Sequence, residues 1–468
     1  MRTAIILAAG AGTKMWPFAE IRPKAMIPVA TKPLIAHQVE SLKALGYSKV
    51  IIVGGKLHGQ IRNYFREHGP SVSSKQGMDI IVVTDEKAQG TATSLCAARS
   101  ACADEDILVL YGDTLVDQAD LERLAASFEQ RSGTEAAAAL VHPLGQEPSS
   151  DWICCRLEDG NVEHIMGHPR DDYSHRFCAF AFSKDFWAYA STNSGLFTSV
   201  QVGMMPPLEG HLEMSLLDCM NDGYAVRAVE TIGEFVDLDK PWHILLANEI
   251  VARRECAKLT GHVLAEGASI DPSASIEGFV KLGVGSKIGR NVIIEGSVIV
   301  GDHTTIENGA ILKGSHMIGN DTYIGNYCFL SEGTTVGSHC VVNHCAELDG
   351  VIFDTVYLYH YMEFYGVIGT STDLGAATVC GTLRFDDGST SHRIKGRRET
   401  PREHSNAIYL GDFVRTGVNA ILMPGVKVGV YSVVGSGVIL EEDVPNRSLL
   451  YVKQDLVRKE WGPSKYGW

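Results

Sequence analysis

Two glycines, a threonine and two lysines lie close together in the stretch "AAGAGTKMWPFAEIRPKAMIP", which follows the apolar run "TAIIL". Gly10 and Gly12 permit a sharp turn after a strand and a close approach of the backbone to a ligand. The amides of such a turn can bind phosphate oxygens, and Lys14 and Lys24 would add positive charge for a polyphosphate. The pattern leaves open an ordinary strand-to-helix turn with two surface lysines.

The first 250 residues alternate apolar segments with amphipathic ones. "TAIILAA", "KVIIVGG", "MDIIVVT", "EDILVLYGD" and "TEAAAALV" read as buried strands, and "PLIAHQVESLKALG" and "LHGQIRNYFREHG" read as helices. This alternation predicts an α/β domain with a parallel sheet and crossover helices. Ligands of such sheets bind at the carboxyl ends of the strands, where the glycine stretch lies.

A different period begins near residue 265. Fourteen consecutive positions spaced by six are apolar: Ile270, Ile276, Leu282, Ile288, Ile294, Val300, Ile306, Leu312, Ile318, Ile324, Leu330, Val336, Val342 and Leu348. The period resumes at Ile408 and misses only at Ser432 before Val444. A six-residue repeat predicts a parallel β-helix in which three short strands form each coil and the coils bury an aliphatic column.

These patterns predict four regions. Residues 1–250 form the α/β domain, 251–264 a helical linker, 265–450 the β-helix and 451–468 a C-terminal tail. Within the β-helix, the polar and basic text "RFDDGSTSHRIKGRRETPREHSN" over residues 384–406 interrupts the repeat and predicts an excursion loop.

The composition of the chain limits the classes of binding partner and the cellular compartment that we expect. The chain has 468 residues and a formal net charge of −15, which disfavours a general role on nucleic acid or anionic membranes. No apolar run reaches membrane-spanning length. Eleven cysteines without a CxxC pair predict reduced, mostly buried thiols in a cytoplasmic protein.

The motifs of the first half resemble the signature of the sugar-1-phosphate nucleotidyltransferases, G-x-G-T-R-[ML] followed by P-K. "LAAGAGTKMWP" and "RPKAMIPVATKPL" carry this resemblance, and "VLYGD", "AQGTATS" and "FVDLDKPWHILLAN" match later family motifs in order. Nearly the whole chain resembles enzymes that join a Rossmann-like, GT-A-like nucleotidyltransferase domain to a left-handed β-helix. These include bifunctional N-acetylglucosamine-1-phosphate uridyltransferases, their archaeal relatives and β-helical mannose-1-phosphate guanylyltransferases.

This resemblance implies transfer of a nucleoside monophosphate from UTP, dTTP or GTP to a hexose-1-phosphate, with Mg²⁺. Asp113 and Asp237 would hold the metal, Lys14 stands where the family has arginine, and Lys24 would contact the triphosphate. A turn or helix cap is the alternative role of Asp113. The implied nucleotide-binding residues are Ala8, Ala9, Gly10, Ala11, Gly12, Thr13, Lys14, Lys24, Asp85, Gly90, Thr91 and Asp113.

Two departures from the family bear on the substrates. Asp85 stands where relatives using uridine or thymidine nucleotides carry glutamine, and a carboxylate would suit the two adjacent donors of guanine. On the sugar side, Gly167 and His168 replace the glutamate and lysine of an E-K-P triplet, and the asparagine expected shortly after is missing from "HRFCAFAFS". His168 would bind the sugar phosphate when protonated. Either the sugar differs, other residues substitute, or this half is slow or degenerate.

In the bifunctional relatives the β-helix transfers acetyl from acetyl-CoA to an amino-sugar phosphate. His360 falls where the family has its general base, and Ala376 and Asp387 match acyl-donor positions. The basic residues of the excursion either meet CoA phosphates or form a solvated loop: His392, Arg393, Lys395, Arg397 and Arg398. Leu348 replaces a lysine for the sugar phosphate.

The alternative role of the β-helix is assembly into a homo-oligomer, a trimer or a multiple of it. An aromatic cluster suits such an interface, although core packing also explains it: Tyr357, Tyr359, Tyr361, Phe364 and Tyr365. Three hypotheses follow: a nucleotidyltransferase with an appended β-helix, an acetyltransferase with a degenerate first half, or a non-catalytic subunit that senses nucleotide sugars.

Overall fold

The computed structural model describes residues 2–69, 77–87, 89–193, 195 and 209–463. They form an N-terminal α/β unit and a C-terminal parallel β-helix, which confirms the predicted fold class. In this part of the chain, no helix is long and apolar enough to cross a membrane.

The N-terminal unit contains the α-helices of the described ranges. They are α1 (Leu34–Ala44), α2 (His58–His68), α3 (Thr91–Ala97), α4 (Gln118–Glu129), α5 (Trp187–Ser191), α6 (Leu212–Asn221) and α7 (Trp242–Ala257). Its strands are β1 (Thr3–Ala8), β2 (Pro28–Val29), β3 (Lys32–Pro33), β4 (Lys49–Gly54), β5 (Asp79–Thr84), β6 (Ile107–Tyr111), β7 (Thr114–Val116), β8 (Glu135–Pro143), β9 (Ile153–Glu158), β10 (Asn161–Gly167), β11 (His175–Phe182), β12 (Ala225–Glu230) and β13 (Phe235–Asp237).

The main sheet has the order β5-β4-β1-β6-β11-β8-β12-β10-β9. Its first four strands are parallel, and β11 runs antiparallel to β6 and β8. The five segments read as strands from the sequence correspond to β1, β4, β5, β6 and β8. The central strands are continuously apolar because helices cover both faces, so that Ile5 and Ile6 enter two different cores.

The C-terminal half contains short strands that follow one another in the chain, and all but the two within residues 384–406 build the β-helix. They are β14 (Val263–Leu264), β15 (Ser269–Ile270), β16 (Ser275–Ile276), β17 (Val280–Leu282), β18 (Lys287–Ile288), β19 (Ile293–Val300), β20 (Thr305–Ile306), β21 (Ile311–Ile318), β22 (Tyr323–Ile324), β23 (Phe329–Leu330), β24 (Thr335–Val336), β25 (Val341–Val342), β26 (Glu347–Ile352), β27 (Tyr357–Leu358), β28 (Glu363–Ile368), β29 (Asp373–Leu374), β30 (Val379–Cys380), β31 (His392–Ile394), β32 (Arg397–Glu399), β33 (Ile408–Leu410), β34 (Arg415–Thr416), β35 (Ile421–Leu422), β36 (Lys427–Val428), β37 (Val433–Val434), β38 (Ile439–Leu440) and β39 (Leu449–Leu450).

The coils stack in parallel, and the six-residue positions fill the column between them. Thr305 pairs with Tyr323, 18 residues later, whereas Tyr357 pairs with Asp373 because the middle coils are two residues shorter. Ser432, where the apolar period misses, is buried and donates its hydroxyl to the Pro445 carbonyl, so the polar residue is satisfied inside the column.

Helix α7 lies between the two units, packing against β13 on one side and against β19, β21 and β26 on the other. A shared apolar cluster includes Phe18 from the first unit and Phe353 and Tyr409 from the β-helix, with ring centroids 5.6 and 6.3 Å from Phe18. Arg22 also forms an ion pair with the buried Asp412 of the β-helix. Since α7 ends at Ala257, the predicted linker 251–264 begins inside a docking helix.

Candidate functional site

The glycine stretch and Asp113 meet at one edge of the main sheet. Strand β1 pairs in parallel with β6, so the residues after Ala8 and after Tyr111 leave the sheet side by side. Gly12 has a φ of +63°, and a Cβ there would lie 3.1 Å from the Ala19 Cβ. Only glycine avoids both the strain and the crowding, which explains the residue type at this bend.

Pairing of β7 with β13 brings the two predicted metal carboxylates together. Asp237 pairs with Thr114, which follows Asp113 in the chain, and the Leu238 amide donates to the Asp113 carbonyl at 2.9 Å. The two acids are 124 positions apart in the sequence, so this pairing is what makes them neighbours.

Lys24 sits among three carboxylates. Its Nζ lies 2.7 Å from Asp113 Oδ2, 3.7 Å from Asp237 Oδ1 and 3.8 Å from Asp239 Oδ1. Burial alone would lower the pKa of the Lys24 ammonium, but the surrounding carboxylates raise it above its usual value. Lys14 pairs with Asp239 at 3.0 Å. Both predicted phosphate lysines therefore contact the same acidic cluster.

The carboxyl groups of this cluster differ in protonation. Burial, with the neighbouring acids, raises the pKa of Asp237 to about 7, although Lys24 opposes the shift. Burial would also raise the pKa of Asp239, but the adjacent lysines hold it well below its usual range. Asp237 is thus the acid of the cluster that gains most from a cation held beside it.

The carboxylates suit the Mg²⁺ that the resemblance implies. Asp237 Oδ1 is buried and accepts no hydrogen bond from any described residue. No group of three metal-ligating side chains converges in the described ranges. Two carboxylates completed by phosphate and water oxygens are the usual protein share of a Mg²⁺ site, so Asp113 and Asp237 fit this ion.

A cavity of about 380 Å³ opens in front of the bend. Gly90, at the start of α3, has a φ of +107°, and a Cβ there would lie 2.4 Å from the Gly210 carbonyl oxygen. The predicted nucleotide residues on the cavity wall are Ala8, Ala9, Gly10, Ala11, Gly12, Thr13, Lys14, Lys24, Gly90, Thr91 and Asp113. The structure therefore brings together eleven of the twelve residues predicted to bind the nucleotide.

Asp85 and His168 do not lie on this wall. Asp85 accepts a hydrogen bond from the Ser94 hydroxyl at 2.8 Å, and Ser94 is the residue that faces the cavity. His168 is exposed beyond β10, with its Nδ1 3.0 Å from the Ser150 carbonyl. Asp85 is one residue removed from the cavity, and His168 belongs to another surface.

Sequence reasoning missed Asp239, Lys240 and Arg176, and it assigned Lys395 to CoA phosphates or a solvated loop, whereas the structure places Lys395 on the cavity wall. Asp239 follows Asp237 by two residues just after β13, where its amide donates to the Asp237 carbonyl at 2.8 Å, and this closeness in the chain could have indicated a shared site. Arg176 stands beside the missing family asparagine in "HRFCAFAFS" and reaches Asp237 Oδ2 at 3.8 Å. Lys395 comes from the excursion loop and carries no local signal of its position.

In the β-helix, His360 stacks on His344, with ring centroids 5.0 Å apart. The Ala377 amide donates to the His360 carbonyl at 3.2 Å, so Ala376 lies in the coil beside His360. Asp387 is exposed in the excursion. The predicted aromatic cluster divides, since Phe364 is buried in the column while Tyr361 is 63% exposed.

The fold and this site together define a nucleotide-binding α/β domain fused to a parallel β-helix. The family model of the MobA-like NTP transferase domain matches residues 4–258, and the chain belongs to that family. The model of the GMPPB C-terminal domain matches residues 259–355.

Curated relatives align over almost the whole chain. The bifunctional protein GlmU of Methanococcus vannielii is 28% identical over 98% of this chain and 99% of its own length. The bifunctional sugar-1-phosphate nucleotidylyltransferase/acetyltransferase of Sulfurisphaera tokodaii is 25% identical over 94% of this chain and 98% of its own. A solved UDP-glucose pyrophosphorylase complexed with UDP-glucose covers 54% of this chain and 99% of its own, with 16% identity and a TM-score of 0.46.

Proposed function

We propose that the protein is a Mg²⁺-dependent sugar-1-phosphate nucleotidyltransferase. The observation that carries this proposal is the position of Lys24, held by the carboxylates at the mouth of the glycine-lined cavity. Backbone amides and lysines in front of such a bend suit a triphosphate, and carboxylates behind it suit the cation that accompanies a triphosphate. The family and the two bifunctional relatives support the same reaction class.

In this reaction a phosphate oxygen of the sugar phosphate attacks the α-phosphorus of the nucleoside triphosphate. A new P–O bond forms, the bond to the β-phosphate oxygen breaks, and pyrophosphate leaves with the electron pair. The attacking oxygen is already ionised at neutral pH, so no general base is required. The enzyme then has to position the substrates and neutralise the developing charge. Lys14 and Lys24 would supply positive charge for the leaving pyrophosphate.

Asp113 and Asp237 would hold Mg²⁺ beside this position. When bound, the ion supplies charge neutralisation at phosphate oxygens. The raised pKa of Asp237 means that the site would lose a proton as it takes up the cation.

Arg176 is our candidate for the sugar-phosphate contact that the missing E-K-P lysine leaves open. It is 5% exposed and is held between the Trp152 ring at 3.9 Å and the Phe235 ring at 4.8 Å. Its Nε and Nη1 have no hydrogen-bond acceptor among the described residues. Buried donors rarely remain unpaired, so we infer that a ligand oxygen accepts hydrogen bonds from these two nitrogens of Arg176.

The test is pyrophosphate release from purified protein given Mg²⁺, a set of nucleoside triphosphates and a set of hexose-1-phosphates. UTP, dTTP and GTP are the central members of the first set. We expect one pair to turn over and Asp113→Asn to slow it by roughly 100-fold, the effect typical of removing one electrostatic contact to a transition state. Asp104→Asn is the matched control, because Asp104 precedes β6 at the opposite edge of the sheet.

Other outcomes of this assay would overturn the proposal. Full activity in Asp113→Asn would contradict the metal role. Absence of turnover with every pair, combined with tight nucleotide binding, would favour the non-catalytic sensing subunit. Because Asp85 binds Ser94 on the cavity wall, a preference for GTP that disappears in Asp85→Asn would support guanine recognition through this pair.

A second candidate activity is acetyl transfer from acetyl-CoA to glucosamine-1-phosphate in the β-helix. The stacked His360 and His344 favour it, because they lie beside the exposed Tyr361 where the coils shorten. Release of the CoA thiol would test it, with His360→Ala abolishing the signal and the exposed His303→Ala retaining it. Unchanged release in His360→Ala would exclude this histidine as the base.

We further propose that the protein is a cytoplasmic homo-oligomer, a trimer or a multiple of it. All eleven cysteines are free and nine are buried, which fits a reducing compartment. The side chains of Tyr327 and Tyr361 are 69% and 63% exposed on the β-helix and would suit an interface. The mass of the purified protein in solution tests the assembly, and a monomer would contradict it.

A further inference from the structure

The excursion of the β-helix returns to the nucleotide cavity. Strands β31 and β32 form a hairpin, called here the basic hairpin, joined by Lys395 and Gly396. Lys395 has a φ of +45° and Gly396 one of +83°, the combination of a two-residue type I′ turn. Lys395 is therefore at the tip of a short, regular turn, and it lines the same cavity as Thr13 and Lys14.

Contacts on both strands hold the basic hairpin in place. On β32, Glu399 lies 2.6 Å from the ammonium of Lys240, and both side chains are mostly buried. Arg397 reaches Asp151 of the first unit at 3.6 Å. On β31, the buried His392 packs on the Trp242 ring with centroids 5.3 Å apart. These contacts position the tip against the N-terminal unit.

The ion pair at Glu399 also joins the hairpin to the acidic cluster. Lys240 lies 3.3 Å from Asp239, whose other partners are Lys14 and Lys24. In this chain of contacts three ammonium groups and the Arg176 guanidinium face four carboxylates, so the cluster itself carries no excess positive charge. Besides the Mg²⁺ proposed above, a triphosphate would therefore gain from a further cation that is not already paired with a carboxylate.

Lys395 is positioned to supply this further positive charge. It forms no ion pair with any residue that the structure describes, unlike Lys14 and Lys24. A second cavity of about 490 Å³ adjoins the first and is also lined by Thr13, Lys14 and Lys395, so the lysine lies on the Lys14 side of the site. Lys14 is the residue assigned above to the leaving pyrophosphate.

We propose that Lys395, delivered by the β-helix, binds the β- and γ-phosphates of the nucleoside triphosphate. The inference rests on the proposed function in taking the cavity as the triphosphate site. It makes the C-terminal half a direct contributor to the N-terminal reaction, through charge rather than through assembly.

Calorimetric titration of the full-length protein with Mg²⁺-pyrophosphate, UTP, GTP and the corresponding monophosphates tests this. Lys395→Ala is expected to weaken pyrophosphate and triphosphate binding by about tenfold and to leave monophosphate binding unchanged, because one charge-assisted contact is lost. The dependence of triphosphate binding on salt should also become shallower. Lys395→Asn should behave like Lys395→Ala, since asparagine tolerates the left-handed conformation of the turn.

Arg398→Ala is the matched control. Arg398 lies on the same hairpin and carries the same charge, but it lines a cavity formed by residues 384–443. We expect its pyrophosphate affinity to stay within twofold of the wild type. Equal affinities for pyrophosphate in the wild type, Lys395→Ala and Lys395→Asn would overturn the inference, as would an equal loss in Arg398→Ala.

The two proposals fail separately. If no sugar phosphate turns over but Lys395→Ala still weakens pyrophosphate binding, the transferase proposal falls and Lys395 remains a polyphosphate ligand. If turnover occurs and Lys395→Ala leaves both pyrophosphate affinity and the KM for the triphosphate unchanged, only the role of Lys395 falls.

Discussion

At the scale of single residues, Asp237 lies between two cations that we assign to different substrates. Its Oδ1 lies 3.7 Å from the Lys24 ammonium, and its Oδ2 lies 3.8 Å from Arg176 Nη1. The charge of one carboxyl group is thereby shared between a lysine assigned to the nucleotide and an arginine assigned to the sugar phosphate.

Arg176→Lys should separate the two substrates. A lysine keeps the charge but loses the planar fork that stacks between Trp152 and Phe235. We expect the KM for the sugar phosphate to rise by about tenfold, while the KM for the triphosphate stays within twofold. Steady-state pyrophosphate release at varied concentrations of each substrate measures both.

Arg156→Lys serves as the comparison, because Arg156 also stacks on a ring, that of Tyr173 at 4.5 Å, but lies on the exposed side of β9. It should leave both KM values unchanged. If Arg176→Lys raises the KM for the triphosphate alone, the assignment of Arg176 to the sugar phosphate is wrong.

At the scale of elements, glycine bends let α7 approach the β-helix. Gly350 interrupts β26 with a φ of +127°, and a Cβ there would lie 2.1 Å from the Gly366 carbonyl oxygen and 3.0 Å from Leu245 of α7. The bend thus allows close stacking of the next coil and close packing of the docking helix at one point.

Gly350→Ala should lower the free energy of unfolding by roughly 2–4 kcal/mol, since it combines a strained φ with overlap against backbone. Gly59→Ala is the control: Gly59 lies in the first turn of α2 with open space around its Cβ position. That change should raise stability by up to about 1 kcal/mol. Urea unfolding of both variants measures the difference, and equal midpoints would contradict the packing argument.

At the scale of the whole molecule, buried neutral histidines make stability depend on pH. Burial lowers the pKa of five histidines to between about 3 and about 4: His37, His142, His243, His316 and His392. The folded chain leaves these rings unprotonated near pH 5, whereas the unfolded chain protonates them below about pH 6.5. Their contribution is therefore present above pH 6.5 and is lost as the pH falls.

Other groups oppose this trend: the pKa of Glu147, Asp218, Glu363 and His404 is raised, and the shifts are largest at Asp237 and Asp349. Burial raises the pKa of Asp237 to about 7 and of Asp349 to about 6, so the folded chain retains protons there that the unfolded chain releases. Since five histidines with large shifts act against two acids with large shifts, we expect the unfolding temperature at pH 5.5 to lie roughly 5 °C below that at pH 7.5. Calorimetry over this range measures it. His316→Gln should flatten the profile and the exposed His303→Gln should not, and a rise in unfolding temperature on acidification would contradict the prediction.

Local patterns made most of the fold predictable. Apolar runs such as "TAIIL" indicate strands covered on both faces, and the six-residue period reports the coil repeat directly, because each position contacts its equivalent in the next coil. Local sequence did not indicate the docking role of α7 or the placement of the excursion. Those depend on surfaces that exist only after the two halves have folded.

The sequence by itself therefore determined the two folds and the glycine bend, since periodicity and turn chemistry act between residues close in the chain. Only the tertiary structure decided which charges share the cavity. Asp237 joins Asp113 through pairing of β13 with β7, and Lys395 arrives from a hairpin nearly four hundred residues after the bend. Such electrostatic neighbours are selected by distance in space, and no sequence period records that distance.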